Sequence, residues 1–514
     1  MAFSMFVLLV ITVAVMSVVT AAAFDRDEGI LLGGVSVERM TKKHARGNVL
    51  GFLNNKDDSC GDVEEFFYDG AIIDNFAPVN SQETWRSKGQ RYFVNKKFWA
   101  GAGAPVFVFI GGEGEESCQR LSENLYMYEL AKENNALMID VEHRFYGQSL
   151  PTEDCSTKNL AYLSSDQALA DLARIIPHIK QKLNSPHSKV VTFGGSYPGN
   201  LSGWFRLKYP SITQGSIASS APVRAEENFS QYMDVVADSL IYFGGQACYN
   251  GFEDAANTIA QLASEGPGSE GMTKLEKDFN LCKSIKNEND LAVFYMNIMG
   301  ITQGVVQYNA EIAGQPTVSD ICATMASGDA KSTGYDQFVA LNKQMMELGN
   351  EKCQTVSYEG FVKMLTHDSG LPTNAMRSWI YQSCAEFGYF QTTDSPNQPF
   401  HAFKEISGLK FSRQWCYDGY DGWTADPATQ FTNEKYGATA IDVTNVVFTS
   451  GTIDPWHALG VTNYTQTLPQ PSSIPAYILG TAHCADLKAP KEGDPESLDQ
   501  ARAVVRDNVH KWVQ

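Results

Sequence analysis

The chain has 514 residues, of which 43% are hydrophobic and 19% charged, and its 59 acidic against 40 basic residues leave a formal net charge of −19. That apolar share excludes a disordered protein. The acidic balance, with no extended Lys/Arg run, excludes a phosphate-tracking surface and so excludes nucleic acid as a partner.

From the N-terminus, residues 1–23 form a long uncharged apolar run that ends at Ala21, Ala22 and Ala23 and is followed at once by DRDEG. Small residues at such a boundary suit signal peptidase, and the segment reads as a signal peptide. An uncleaved anchor is the alternative, because no Lys or Arg precedes the run. No later stretch offers about 18 uninterrupted apolar residues. The mature protein is therefore expected in the secretory pathway, secreted or lysosomal/vacuolar, without stable membrane insertion.

The runs PVFVFI (105–110), ALMIDV (136–141) and KVVTF (189–193) are short and mainly apolar, the first ending in Gly111 and Gly112 and the third in Gly194 and Gly195, as buried parallel strands are. Between the last two, Leu169, Leu172, Ile176 and Ile179 recur at helical spacing, and Ser164 with Gln167 predicts a capping box. Strand, helix and strand in that order predict an α/β protein with a parallel sheet. From 226 to 424 the texture turns polar and helical and holds six of the ten cysteines; NVVFTSG (445–451) and PAYILG (475–480) then restore the strand pattern. The expected organisation is a first sheet part over 24–225, a helical insertion over 226–424, and a second sheet part over 425–514.

The ten cysteines, from Cys60 to Cys484, stand tens of residues apart without a C-x-x-C pair. In a secretory compartment that spacing reads as disulfide partners rather than a zinc site, and no metal or cofactor is expected. Sequons occur at Asn200, Asn228 and Asn463. The last two are the expected glycosylation sites, since Asn200 falls inside a predicted helix.

In open α/β sheets the chemistry sits beyond the carboxyl ends of the strands. Ser196, Asp454 and His483 each follow a strand-like run, and their order is that of α/β-hydrolases. A serine needs an imidazole to take its proton and a buried carboxylate to orient that imidazole, which assigns nucleophile, base and orienting acid. The elbow pattern G-x-S-x-G is altered, because Pro198 holds the last position. Gly194, Gly195 and Gly199 remain, and the oxyanion donor is the backbone N–H of Tyr197, so the proline removes nothing the chemistry uses. His457, close to Asp454, is the rival base, whereas His143 reads as structural. Glu113, Glu115 and Glu116 are candidates for holding a substrate amine, and Arg377 or Arg413 for a substrate carboxylate.

Several stretches together resemble one family, the serine peptidases that include lysosomal prolyl carboxypeptidase, dipeptidyl peptidase II and thymus-specific serine protease. They are GGEGEES (111–117), VEHRFYGQSLP (141–151), FGGSYPGNLSGWFRLKYP (193–210), ASSAPVRA (218–225), YQSCAEFGYFQT (381–392), SGTIDPWHALGV (450–461) and GTAHCADL (480–487). AHCADL most resembles the thymus-specific branch. The resemblance implies an α/β-hydrolase fold with a large, mainly helical cap, the triad Ser196, Asp454 and His483, and exopeptidase action on short peptides beside proline. It also implies that Trp456 helps form the pocket for the residue before the scissile bond. This chain departs from the proline-cleaving pattern at Asn200, where those relatives carry an apolar residue, and at Cys484, which replaces a second histidine. A dipeptidyl-peptidase or a carboxypeptidase type, a non-catalytic peptide-binding member, and an esterase or lipase all stay open, as does a homodimer.

Overall fold

The computed structural model describes residues 28–29, 31–32, 35–36 and 61–514, apart from 313, 328–332, 368–369 and 464–467. The signal-peptide segment and Cys60 lie outside the described residues.

Apolar runs this short can bury both faces only in a sheet covered on each side. Eight strands form it: β1 (Val63–Tyr68), β2 (Gln90–Asn95), β3 (Val106–Ile110), β4 (Leu137–Val141), β5 (Val190–Gly195), β6 (Gly215–Ser219), β7 (Val446–Gly451) and β8 (Ile474–Ile478). Their spatial order is β8-β7-β6-β5-β3-β4-β2-β1. Strands β3 to β8 pair in parallel, and β2 runs antiparallel to both β4 and β1. Alternation along β3 shows the two covered faces: Val106, Val108 and Ile110 join one hydrophobic cluster and Phe107 and Phe109 another. Because β3 lies between β4 and β5, the order reverses there, and the carboxyl ends of β3 and β5 flank a crevice.

The helix Ser165–Lys182 starts as the sequence predicts, with the Ser164 side chain accepting from the Gln167 N–H. The capping box is only half made. The Gln167 side chain turns away from the cap, donating to Asp74 and accepting from the Asn75 N–H, because the segment packed over this helix presents buried polar groups that need partners.

After β6 the chain leaves the sheet and returns only at β7, and the intervening residues are mainly helical. Three disulfides, Cys248–Cys322, Cys282–Cys353 and Cys384–Cys416, pair all six cysteines of this stretch with one another. Cys484 corrects the expectation of disulfide partners, for it is a buried free thiol. One continuous hydrophobic cluster joins the sheet's helix residues Leu201 and Trp204 to Tyr232, Phe252 and Phe338 of the helical stretch. Among the described residues no helix is long and apolar enough to cross a membrane.

Candidate active site

Strand β5 ends in a turn so tight that its flanking glycines admit no side chain. A Cβ on Gly194 would lie 2.1 Å from the Pro198 carbonyl oxygen, and one on Gly199 2.6 Å from that of Ser219. Ser196, between them, takes φ 65° and ψ −134°, a left-handed conformation that costs a non-glycine residue on the order of 1–3 kcal/mol. The surroundings hold it there: its N–H donates to the Ser219 carbonyl at 2.9 Å and its carbonyl accepts from Gly199 N–H at 2.8 Å. The helix Tyr197–Lys208 begins at once, with Pro198 in its first turn, where a missing N–H is tolerated. The altered elbow is compensated from the β3 loop. A Cβ on Gly112 would lie 2.3 Å from Pro198 Cγ, so a glycine facing the proline provides the room its ring needs.

Strand β7 delivers Asp454, and the loop after β8 delivers His483. Both are buried, and His483 Nδ1 lies 2.9 Å from Asp454 Oδ1, which also accepts from Trp456 N–H at 3.0 Å. His457 meets the backbone carbonyl of Asp454 instead, through its Nδ1 at 2.7 Å, so the structure brings His483 and not the rival to the carboxylate. The histidine loop is anchored beside the elbow. Cys484 N–H donates to Ser220 Oγ at 2.8 Å, its sulfur lies 2.9 Å from where a Gly195 Cβ would stand, and Asp486 accepts from Ser219 and Thr449 at 2.5 and 2.7 Å. Burial alone would lower the His483 pKa, but the adjacent Asp454 carboxylate and Cys484 outweigh it and hold the imidazolium well above the usual 6.5. His143 is structural: it bonds the Tyr197 hydroxyl at 3.0 Å, and burial pushes its pKa down to about 3.

Ser196, Glu113 and Trp456 open on one cavity of about 170 Å³. Met296, Met299 and Gln303 of the helix Glu288–Gln307 and Met376 and Trp379 of the helix Ala375–Gln382 form its far wall. The Trp456 indole donates to Gln307 Oε1 at 3.0 Å and sits among Phe229, Tyr232 and Tyr389. The three candidate glutamates part company. Glu115 is bonded to Arg91 and Gln148, and Glu116 to Arg120, whereas Glu113 is buried with no hydrogen-bond partner on its Oε2 among the described residues. Burial pushes the Glu113 carboxyl up to about 7, against the pull of its own N–H, His483 and Arg120.

Other sequence candidates stand elsewhere. Arg377 is buried and spends its donors on the carbonyls of Cys155, Leu365 and Gly419 and on Thr157 Oγ1. Arg413 pairs with Glu227 and Asp426 outside the cavity. No Lys or Arg is among the described residues that line it. Asn200 does not line it either; its amide donates to the Pro222 carbonyl and to the hydroxyl of Tyr389, through which alone it reaches the wall. Of the sequons, Asn463 is exposed, Asn228 is half-buried and bonded to Asp394 and Thr392, and Asn200 is enclosed. The sequence did not flag Gln307, whose carbonyl accepts the His483 N–H at 3.0 Å, or Glu142, which takes the Glu116 N–H and Arg91 and thereby ties the β3 loop to the loop after β4.

A mainly parallel sheet with a serine elbow after β5, a buried carboxylate after β7 and a histidine after β8 defines an α/β-hydrolase carrying a helical insertion. Within that class the chain belongs to the serine carboxypeptidase S28 family, whose model matches residues 71–505. It is similar to a serine-protease sequence of Caenorhabditis elegans, 34% identical over 86% of this chain and 83% of that one. It also resembles the mouse thymus-specific serine protease, 32% identical over 85% of this chain and 86% of that one, and the human lysosomal Pro-X carboxypeptidase, 28% identical over 86% and 87%. The chain is a serine-type peptidase, and its substrates are peptides.

Proposed function

We propose that this peptidase removes short units from free N-termini through an acyl-enzyme. Ser196 Oγ attacks the scissile carbonyl as His483 takes its proton, and Asp454 holds the imidazole and offsets its charge. The backbone N–H of Tyr197, with an amide of the loop after β3, receives the developing oxyanion. His483 then protonates the leaving amine, and a water it activates releases the acyl group.

The observation that carries this reading is the pairing of a buried Glu113 carboxyl, one oxygen unpartnered, with Ser196 on a cavity whose described lining holds no cation. A carboxylate there binds an ammonium; a substrate carboxylate would find only neutral amide, hydroxyl and indole donors among the described lining residues. Trp456 offers an indole face to the side chain next to the scissile bond, a surface on which a proline ring packs well. The relative named Pro-X carboxypeptidase favours a second reading, release of C-terminal residues, with the Gln303, Gln307 and Gln391 amides holding the terminal carboxylate. The compartment is secreted or lysosomal, consistent with the disulfides and the lysosomal relative. A mass-spectrometric digest of one peptide library presented free, N-acetylated and C-amidated decides between the two ends. Loss of cleavage on N-acetylation is expected, and loss on C-amidation would reverse the assignment.

A further inference from the structure

The two helices that wall the cavity each end on a glutamine that touches the candidate catalytic groups. On Glu288–Gln307, Met296, Met299, Gln303 and Gln307 follow one another at spacings of three and four, so one face of the C-terminal part of this helix lines the cavity. Its last residue, Gln307, touches His483 directly and reaches Asp454 through Trp456. The backbone carbonyl accepts the backbone N–H of His483, and the side-chain Oε1 accepts the indole N–H of Trp456, a residue whose backbone N–H donates to Asp454 Oδ1. The same Oε1 accepts from the Tyr232 hydroxyl at 2.7 Å, and Nε2 donates to Tyr308 at 2.8 Å. On Ala375–Gln382, Met376, Trp379 and Ile380 line the cavity, and the last residue, Gln382, donates to the Tyr197 hydroxyl at 3.0 Å while accepting from Tyr146. Tyr197 is the residue whose backbone N–H is proposed above as the oxyanion donor. Both glutamines are buried, so these bonds are made away from water and hold their geometry.

Resting on the Ser196–His483–Asp454 reading, we propose that Gln307 and Gln382 are positioning residues that couple filling of the cavity to alignment of the base and of the oxyanion donor. A side chain seated against Met296, Met299, Met376 and Trp379 loads two helices whose ends fix His483 and Tyr197. Its binding energy is thereby expressed in turnover rather than in affinity. Displacement of a reacting group by about 1 Å costs on the order of 100-fold in rate, so a small shift at either helix end is large enough to read.

The experiment compares two peptides with free N-termini and one leaving group, one carrying a large apolar residue before the scissile bond and the other alanine. In Gln307→Met and Gln382→Met, which keep length and bulk but remove the polar ends, the large-to-small kcat ratio is expected to fall at least about fivefold while KM for the large substrate changes less than about twofold. Equal kcat losses on both substrates, or an effect confined to KM, would overturn the coupling. If Gln307→Met does not fold, Tyr232→Phe removes one hydroxyl from the same oxygen and keeps the ring; a lowered ratio supports the proposal and an unchanged one overturns it. A fluorophosphonate reagent is applied to the unmodified enzyme in parallel. Labelling at Ser196 with an unchanged ratio sinks the coupling alone, whereas absence of labelling sinks the serine reading and the coupling with it.

Discussion

Glu113→Gln separates a residue kept for function from one kept for the fold, because the structure assigns opposite signs to its two effects. The Glu113 carboxyl faces His483, Arg120 and Glu116, and burial raises its pKa from 4.5 to about 7. Folded protein therefore holds this proton over a window in which unfolded chain has lost it, and stability falls as pH rises from about 4.5 through about 7. At about 1.4 kcal/mol per pH unit, the ionised carboxylate costs the fold about 3 kcal/mol by pH 8. Glutamine has nearly the same shape and carries no such cost. The variant should therefore melt a few degrees higher at pH 8 and about level with the parent near pH 4.5. In the role proposed for Glu113, loss of the buried partner of the substrate ammonium costs about 2–5 kcal/mol, so kcat/KM on free-amine peptides should drop on the order of 100-fold. Differential scanning calorimetry at the two pH values and initial rates on one dipeptide-releasing substrate provide the readings. A lower melting temperature at pH 8, or an unchanged kcat/KM, would refute the argument.

Because His483 must be neutral for its proposed role as base and its pKa is held well above 6.5, and because burial pushes Glu113 up to about 7, kcat/KM should be low at pH 5 and rise through neutrality; a rate plateau already reached at pH 5 would contradict this. It should fall again above about pH 8 as the substrate amine loses its proton. Gly112→Ala should lower activity severely, since the new methyl meets the Pro198 ring, and Pro198→Ala in the same chain should recover much of the loss; additive effects in the double-mutant cycle would show that the two do not share that space. Replacing Cys384 and Cys416 by alanine should destabilise the protein by about 2–5 kcal/mol and widen the cavity, because Phe390 and Trp415 of its wall pack beside that bridge; denaturant unfolding measures the first effect, and retained stability would count against it.

The strands legible in the sequence are those whose residues are mostly apolar, as in VFVFI and LMIDV, where one buried Asp140 interrupts the run; β8 was legible on the same ground although it is only half-buried, and the fully buried β2, QRYFVN, was missed because polar residues open and close it. Strand β1, VEEFFY, is partly exposed, and β6, GSIAS, is built of small residues that pack against Trp512 and the elbow, so neither carries a hydrophobic signature. Ser196, Asp454 and His483 could be named as candidates because each follows a strand and their chain order has a chemical meaning; the structure brings the last two into contact. Gln307 was not, because nothing local distinguishes it from any other helix-terminal glutamine; its role comes from residues 75 and 149 positions away. Arg377 shows the converse. Its charge made it a plausible anion ligand, yet the fold uses its fork of donors to gather backbone carbonyls, a purpose that leaves no local mark.

The placement of β7 and β8 beyond the long helical stretch has a consequence for how the chain acquires activity during synthesis. Strand β6 is laid down by residue 219, and its outer edge waits for β7, which begins at residue 446. Until then the proposed nucleophile is present while its base and orienting acid have not been made. An emerging chain that folds from its N-terminus thus carries an incomplete protease, harmless to its neighbours, and becomes competent only as its last tenth or so docks. The same order leaves an unpaired β6 edge exposed for more than 200 residues of elongation, so chaperone demand during synthesis should be concentrated on that edge.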